Sequence, residues 1–125
     1  MERILIADDE PICRRILAAL LDGEYEVTAA ANGREVIEAL QSEPDAYRCL
    51  LLDIRMPEVD GFGVLDYMRS KGLLERIPVI ALTSITETED QVNCYKAGVC
   101  DLLEKPYKQD ILMCKIRLVI DKFAK

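Results

Sequence analysis

The sequence predicts an α/β fold: a doubly wound, five-stranded parallel sheet with five helices. Two observations carry that expectation. Short apolar runs alternate strictly with longer stretches of helical periodicity, five times over, which calls for parallel strands with helices on both faces. The apolar runs are also continuous, as in Leu50-Leu51-Leu52, rather than alternating with polar residues. Strands buried on both faces need that continuity. The chain has 125 residues, with no internal repeat, low-complexity tract or linker, and is read as one domain, residues 1–125.

The elements follow in order. Ile4 to Ala7 reads as a buried strand that ends at Asp8-Asp9-Glu10. Pro11 to Leu21 reads as a helix, with Pro in the first turn where its missing N–H costs little. Ile12, Ile16, Leu17, Leu20 and Leu21 recur in it at helical spacing and are expected to form its core face. Asp22-Gly23 stops it, and Tyr25 to Ala30 is the second strand. Asn32-Gly33 is a turn signal before a helix from Arg34 to Gln41. Cys49 to Leu52 is the third strand, ending at Asp53, and Phe62 to Lys71 is a helix closed by Gly72. Ile77 to Leu82 is the fourth strand, with Pro78 near its start and Thr83-Ser84 at its end. A helix from Glu87 to Ala97 is closed by Gly98. Val99 to Leu103 is a short fifth strand before Glu104-Lys105-Pro106, and Gln109 to Phe123 is the last helix. In that helix Leu112, Ile116, Val119 and Phe123 form the expected core stripe. Ile111, Met113, Leu118 and Ile120 cannot all share it.

Composition excludes several function classes. The formal net charge of −7 opposes non-specific nucleic-acid binding and attraction to an anionic membrane surface. No apolar run approaches the ~20 residues of a membrane-spanning helix, and Met1-Glu2-Arg3-Ile4 lacks signal-peptide character. The five cysteines are scattered, form no C-x-x-C pair, and are expected to be small buried hydrophobes in a reducing cytoplasm. Histidine is absent, which removes His-metal sites and His-dependent triads. Neither a G-x-G-x-x-G loop nor a Walker A sequence occurs.

The chemistry collects at the strand ends. In an open parallel sheet, ligands bind outside the carboxyl ends of the strands, where strand order reverses. If the first and third strands are neighbours there, Asp8, Asp9 and Asp53 share one cleft, with Thr83 and Lys105 beside it. At ~4 Å and an effective dielectric of ~20, each carboxylate pair repels by about 4 kcal/mol. Lys105 supplies one compensating charge, and a hard divalent cation such as Mg²⁺ suits the rest. One carboxylate can then act as a nucleophile towards a phosphoryl group, with the cations neutralising its charge and the Thr83 hydroxyl bonding a phosphoryl oxygen. No general base is needed, since a carboxylate is already ionised near neutrality.

Over Ile4 to about Phe123 the chain resembles the receiver domain of bacterial two-component response regulators. The residues that carry the resemblance are Ile4-Leu5-Ile6-Ala7-Asp8-Asp9-Glu10-Pro11, the D-x-x-M-P-x-x-D-G run from Asp53 to Gly61, Pro78 to Ser84, Lys96-Ala97-Gly98 and Lys105-Pro106-Tyr107. The resemblance implies a flavodoxin-like sheet of order 2-1-3-4-5 and a signalling domain rather than an enzyme in the ordinary sense. The domain would catalyse only phosphotransfer onto its own Asp53. Asp53 would be the phosphoacceptor, Asp9 a direct Mg²⁺ ligand, Asp8 a ligand mainly through water, and the Arg55 backbone carbonyl a further ligand. Thr83 and Lys105 would contact the phosphoryl group, and the Lys105–Pro106 bond is the candidate cis peptide.

The implied donor is a sensor histidine kinase or a phosphotransfer protein. The implied reader is an output domain or protein target on the surface of the fourth helix, fifth strand and fifth helix. Direct contact with nucleic acid or membrane by this domain is not implied. A cytoplasmic location is implied, and the domain would be stand-alone or part of a longer regulator. Two positions depart from the family pattern. Leu102 stands where an aromatic usually reports phosphorylation, and the cationic Arg55 lies at the cleft rim, where it would screen an acyl phosphate or sit exposed. Gln91 and Ile111 break the charged pattern of many dimerising members, so that particular dimer is not expected, while another homodimer stays open. Two rivals are a phosphohydrolase, opposed by the absence of a D-x-D after the first strand and of a substrate cap, and a phosphate-independent scaffold, opposed by the intact Asp8, Asp9, Asp53, Thr83 and Lys105.

Overall fold

The computed structural model describes residues 1–83 and 88–123. The expected helix start at Glu87, and Ser84 behind the fourth strand, lie outside them. The elements are β1 (Arg3–Ala7), α1 (Pro11–Leu21), β2 (Glu26–Ala30), α2 (Gly33–Ser42), β3 (Tyr47–Asp53), α3 (Gly61–Ser70), a 3₁₀ turn (Leu73–Glu75), β4 (Val79–Thr83), α4 (Thr88–Ala97), β5 (Asp101–Glu104) and α5 (Gln109–Phe123). All strand pairs are parallel and the sheet order is β2-β1-β3-β4-β5. This is the flavodoxin-like, doubly wound arrangement.

Alternate residues of each strand feed opposite faces, as the period of two requires. Leu5, Ala7, Leu50, Leu52, Val79 and Ala81 pack with Val36 and Leu40 of α2 and with Val64, Leu65 and Met68 of α3. Ile4, Ile6, Cys49, Leu51, Ile80 and Leu82 pack with Leu17 and Leu21 of α1 and with Leu112, Ile116, Val119 and Ile120 of α5. Both faces of the central strands are therefore dry, and polar chemistry is left to their ends.

Local bonds explain the boundaries. The Tyr25 N–H still bonds back to Leu21 O (3.1 Å), so pairing of β2 begins at Glu26. The Asn32 side chain accepts from the Glu35 N–H (2.9 Å) while Glu35 accepts from the Ala31 N–H (2.7 Å), a capped start that takes Gly33 into α2. Asp60 accepts from the Gly63 N–H and starts α3 one residue earlier than expected. β3 starts at Tyr47, two residues early, through pairing of Arg3 with Tyr47 across a register shift. β5 starts at Asp101 rather than Val99, because the Val99 N–H is spent on Cys94 O at the end of α4.

Expectations about burial change in three places. On α1 only Leu17 and Leu21 face the core fully, and Ile12 and Ile16 are exposed on the flank of a stripe too wide to bury whole. On α5 Ile120 joins the core, Phe123 is only half-buried, and Ile111 and Leu118 face outward. Among the cysteines, Cys49 and Cys94 are buried, Cys13 is intermediate, and Cys100 and Cys114 are exposed. All five are free thiols. No helix among the described residues is long and apolar enough to cross a membrane.

Candidate functional site

The carboxyl end of the sheet gathers the polar residues that the core cannot hold. Asp8 follows the last residue of β1, Asp53 is the last residue of β3, Thr83 the last of β4, and Lys105 follows the last of β5. β1 and β3 are neighbours, with Ala7 opposite Leu52, so Asp8 and Asp53 emerge side by side. Asp8, Asp53 and Thr83 are the buried polar or charged residues among those described, with Asp8 wholly inaccessible. Asp9 is exposed, yet carboxylate oxygens of Asp8, Asp9 and Asp53 all lie within 4.8 Å of one another.

Backbone donors fix the two buried carboxylates. The Glu10 N–H donates to Asp8 Oδ1 (3.0 Å), and the Arg55 N–H donates to Asp53 Oδ1 (3.1 Å). The remaining oxygens share one cation, with Lys105 Nζ 3.3 Å from Asp8 Oδ2 and 3.5 Å from Asp53 Oδ2. Arg14 donates to the backbone carbonyl of Asp8 (2.7 Å) and ties α1 to the end of β1. The Lys105–Pro106 peptide bond is cis.

These surroundings set the proton affinities. Burial pushes the Asp53 carboxyl up to about 6; the Arg55 N–H and Lys105 pull it back, and the charges of Asp8 and Asp9 add to the rise. Burial lowers the Lys105 ammonium, but the Asp53 and Asp8 carboxylates outweigh it, so its affinity ends above the ordinary lysine value. The ammonium therefore stays charged. A cavity of about 210 Å³, lined by Asp9, Glu10, Asp53, Ile54, Arg55, Thr83 and Lys105, opens from the site to solvent. Three carboxylates compensated by one ammonium form a hard, oxygen-only donor set with unspent negative charge, and this fits a small divalent cation.

The stretch between Asp53 and α3 is held from the side. Glu58 has a positive φ of 66°, and Arg34 Nε of α2 pairs with its carboxylate at 3.2 Å. Gly33 lies against the next residue so closely that a Cβ there would come 2.0 Å from Val59 O. Two further residues at the cleft are not visible from strand-end reasoning. Cys13 Sγ groups with Asp8 and Glu10 oxygens within 4.8 Å, although cysteine was expected only as core. The Tyr107 hydroxyl is buried in the field of the same acids. Arg55 itself is exposed at the rim. Leu102 is half-buried and, with Thr83, Tyr95, Ile111 and Lys115, lines a groove of about 560 Å³ between α4 and α5.

A family model described as the response regulator receiver domain matches residues 4–117. A probable transcriptional regulator, ycf27, of Galdieria sulphuraria is 36% identical over 98% of this chain and 48% of its own length. A hybrid signal transduction histidine kinase of Dictyostelium discoideum is 34% identical over 98% of this chain, which corresponds to 7% of that protein. The chain thus spans about half the length of the ycf27 relatives and a small part of the hybrid kinase. Among solved structures, the receiver domain of a Pseudomonas aeruginosa sensor histidine kinase superposes with a TM-score of 0.85. It is 31% identical, covers 96% of this chain and 98% of its own, and holds a magnesium ion in its active-site cleft.

Proposed function

The chain belongs to the response regulator receiver domain family, and from that premise we propose that it is a phosphorylation-operated signalling switch with Asp53 as the phosphoacceptor. The observation that carries the reading is the sharing of Lys105 Nζ between Asp8 and Asp53 at the mouth of the cleft. A nucleophilic carboxylate oxygen sits beside the cation that can receive the charge of an incoming phosphoryl group.

Asp53 Oδ2 attacks phosphorus of a kinase or phosphotransfer-protein phosphohistidine. The O–P bond forms, the P–N bond breaks, and the electron pair stays on the imidazole nitrogen. The Arg55 N–H holds Oδ1, so Oδ2 is the oxygen turned towards Lys105. Mg²⁺ is the cation that the donor set suits, and Asp9, Asp53 and the Arg55 carbonyl would hold it directly, with Asp8 acting mainly through water. Bound there, it supplies charge neutralisation on the transferring phosphoryl group. Lys105 and the Thr83 hydroxyl then engage phosphoryl oxygens. The domain acts on no separate substrate.

The exposed Ile12 and Ile16 of α1, beside the cleft, suit an apolar kinase or phosphotransfer surface. Val92 and Tyr95 of α4, with Ile111 and Leu118 of α5, suit an output domain, a protein target or a second copy at the α4–β5–α5 face. The net charge of −7 fits an indirect route to nucleic acid, through whatever this face controls. A single receiver domain, alone or within a longer cytoplasmic regulator, accommodates this reading. Intact mass after incubation with Mg²⁺ and acetyl phosphate tests it. One phosphoryl group should be gained, and lost both without Mg²⁺ and in Asp53→Asn. No gain by folded, Mg²⁺-binding protein would sink the switch in favour of a phosphate-independent scaffold.

A further inference from the structure

Two buried side-chain polar atoms among the described residues lack a hydrogen-bond partner, Asp8 Oδ2 and the Tyr107 hydroxyl. One is an acceptor whose charge partner among the described residues is Lys105, with the Cys13 thiol also near that carboxylate, and the other is a donor. Both belong to one place. Among the described residues, the charge of Asp8 acts most strongly on the Tyr107 phenol, ahead of those of Asp53 and Glu10. Burial and these acids hold the phenol protonated throughout the physiological range, so it can only donate towards them. The ring packs against the core on the α1 and α5 side of the sheet, which limits where the hydroxyl can go. A phenylalanine would fill the same space without burying an unsatisfied O–H, an expensive thing to leave unmade. The hydroxyl is thus a donor set in the field of an acceptor, Asp8, that Lys105 holds in this arrangement.

We propose that Tyr107 is a positioning residue for the phosphoryl site: its O–H is the donor that Asp8 Oδ2 takes up when Lys105 leaves it for the phosphoryl group. The proposal rests on the phosphoacceptor reading above. Tyr107 is joined to Lys105 through Pro106 alone, so the departing ammonium and the arriving hydroxyl sit on one short segment. Asp8 would then keep a partner on each oxygen, the Glu10 N–H on Oδ1 and Tyr107 on Oδ2. The carboxylate would hold its orientation through the transfer.

A double-mutant cycle tests the hydrogen bond independently of phosphorylation, using Tyr107→Phe in the native chain and in a Lys105→Met background, read by urea unfolding without metal. With Lys105 present, removing the hydroxyl should leave the folding constant unchanged or raise it. With Lys105 replaced, the same change should lower it roughly tenfold, the effect of a hydrogen bond to a charged group. Additive effects would overturn the proposal, since a purely structural role of the ring does not depend on Lys105. A second readout in the Tyr107→Phe chain, needed if the double variant does not fold, is the Mg²⁺ concentration for half-maximal phosphorylation by acetyl phosphate. It should rise severalfold at unchanged stability, and an unchanged value would overturn the proposal. If the native chain takes no phosphoryl group, the phosphoacceptor reading fails, while the cycle still decides the Tyr107–Asp8 bond.

Discussion

Replacing Asp53 by Asn should stabilise the metal-free protein above pH 6 and lose that advantage in acid. The Asp53 carboxyl is raised from an ordinary 3.8 to about 6, chiefly by burial. Such a group favours the folded state fully below the unfolded value of about 4, and that contribution disappears as pH rises through about 6. Two pH units correspond to about 3 kcal/mol as an upper limit. The attraction of Lys105 is already contained in that value, and burying the Asn amide in place of the carboxylate takes back about 1 kcal/mol or more. The net gain for Asp53→Asn should then be about 1–2 kcal/mol at pH 8. Asn keeps an oxygen for the Arg55 N–H, so the 3.1 Å backbone bond survives the change. The assay is urea unfolding followed by circular dichroism, since the chain has no Trp, at pH 8, 6 and 4 with a chelator present. The gap between variant and native protein should shrink as pH falls towards 4, and added Mg²⁺ should favour the native chain. A gap independent of pH, or one that widens in acid, would refute the assignment of this cost to the ionised Asp53.

Further outcomes follow from the same geometry. Lys105→Met leaves Asp8 and Asp53 without their shared ammonium and should cost about 3 kcal/mol at neutral pH in urea unfolding, with Mg²⁺ restoring much of it. Gly33→Ala drives a Cβ into Val59 O and should cost about 1–3 kcal/mol. Because Val59 lies between Asp53 and α3, calorimetry should also show weaker Mg²⁺ binding in that variant, although residue 33 lies outside the cleft. Ile12→Ser with Ile16→Ser should leave stability within about 0.5 kcal/mol per site. Phosphorylation by acetyl phosphate should be unchanged, and transfer from a partner kinase, followed by mass, should slow.

Much of this was legible in the chain because strand ends are legible. Apolar runs that stop at Asp8, Asp53 and Thr83 mark where a dry sheet meets solvent, and a parallel sheet brings such stops to one edge. Strand order was not available from periodicity; it came with the resemblance, and the neighbouring of β1 and β3 depends on it. Spacing alone makes the α1 stripe too wide, since it cannot separate the buried Leu17 and Leu21 from the exposed Ile12 and Ile16 one row away. Boundaries slipped where a backbone donor had a second use, as at Tyr25 and Val99. The contact of Gly33 with Val59 joins residues 26 apart in sequence, and nothing local at either position announces it. The setting of Tyr107 was likewise hidden, because an aromatic after Lys-Pro reads as packing until its hydroxyl is found among acids.

The single ammonium shared by two carboxylates has a consequence for how such a signal ends. The cleft already holds a resident counter-ion at rest, so a phosphoryl group arriving on Asp53 takes Lys105 over from a carboxylate that it already serves. The resting pair and the occupied cleft thus draw on the same positive charge, so part of the compensation is in place before the phosphoryl group arrives. The signal ends when water breaks the O–P bond and frees the carboxylate, and the same ammonium is at hand to re-form the resting pair.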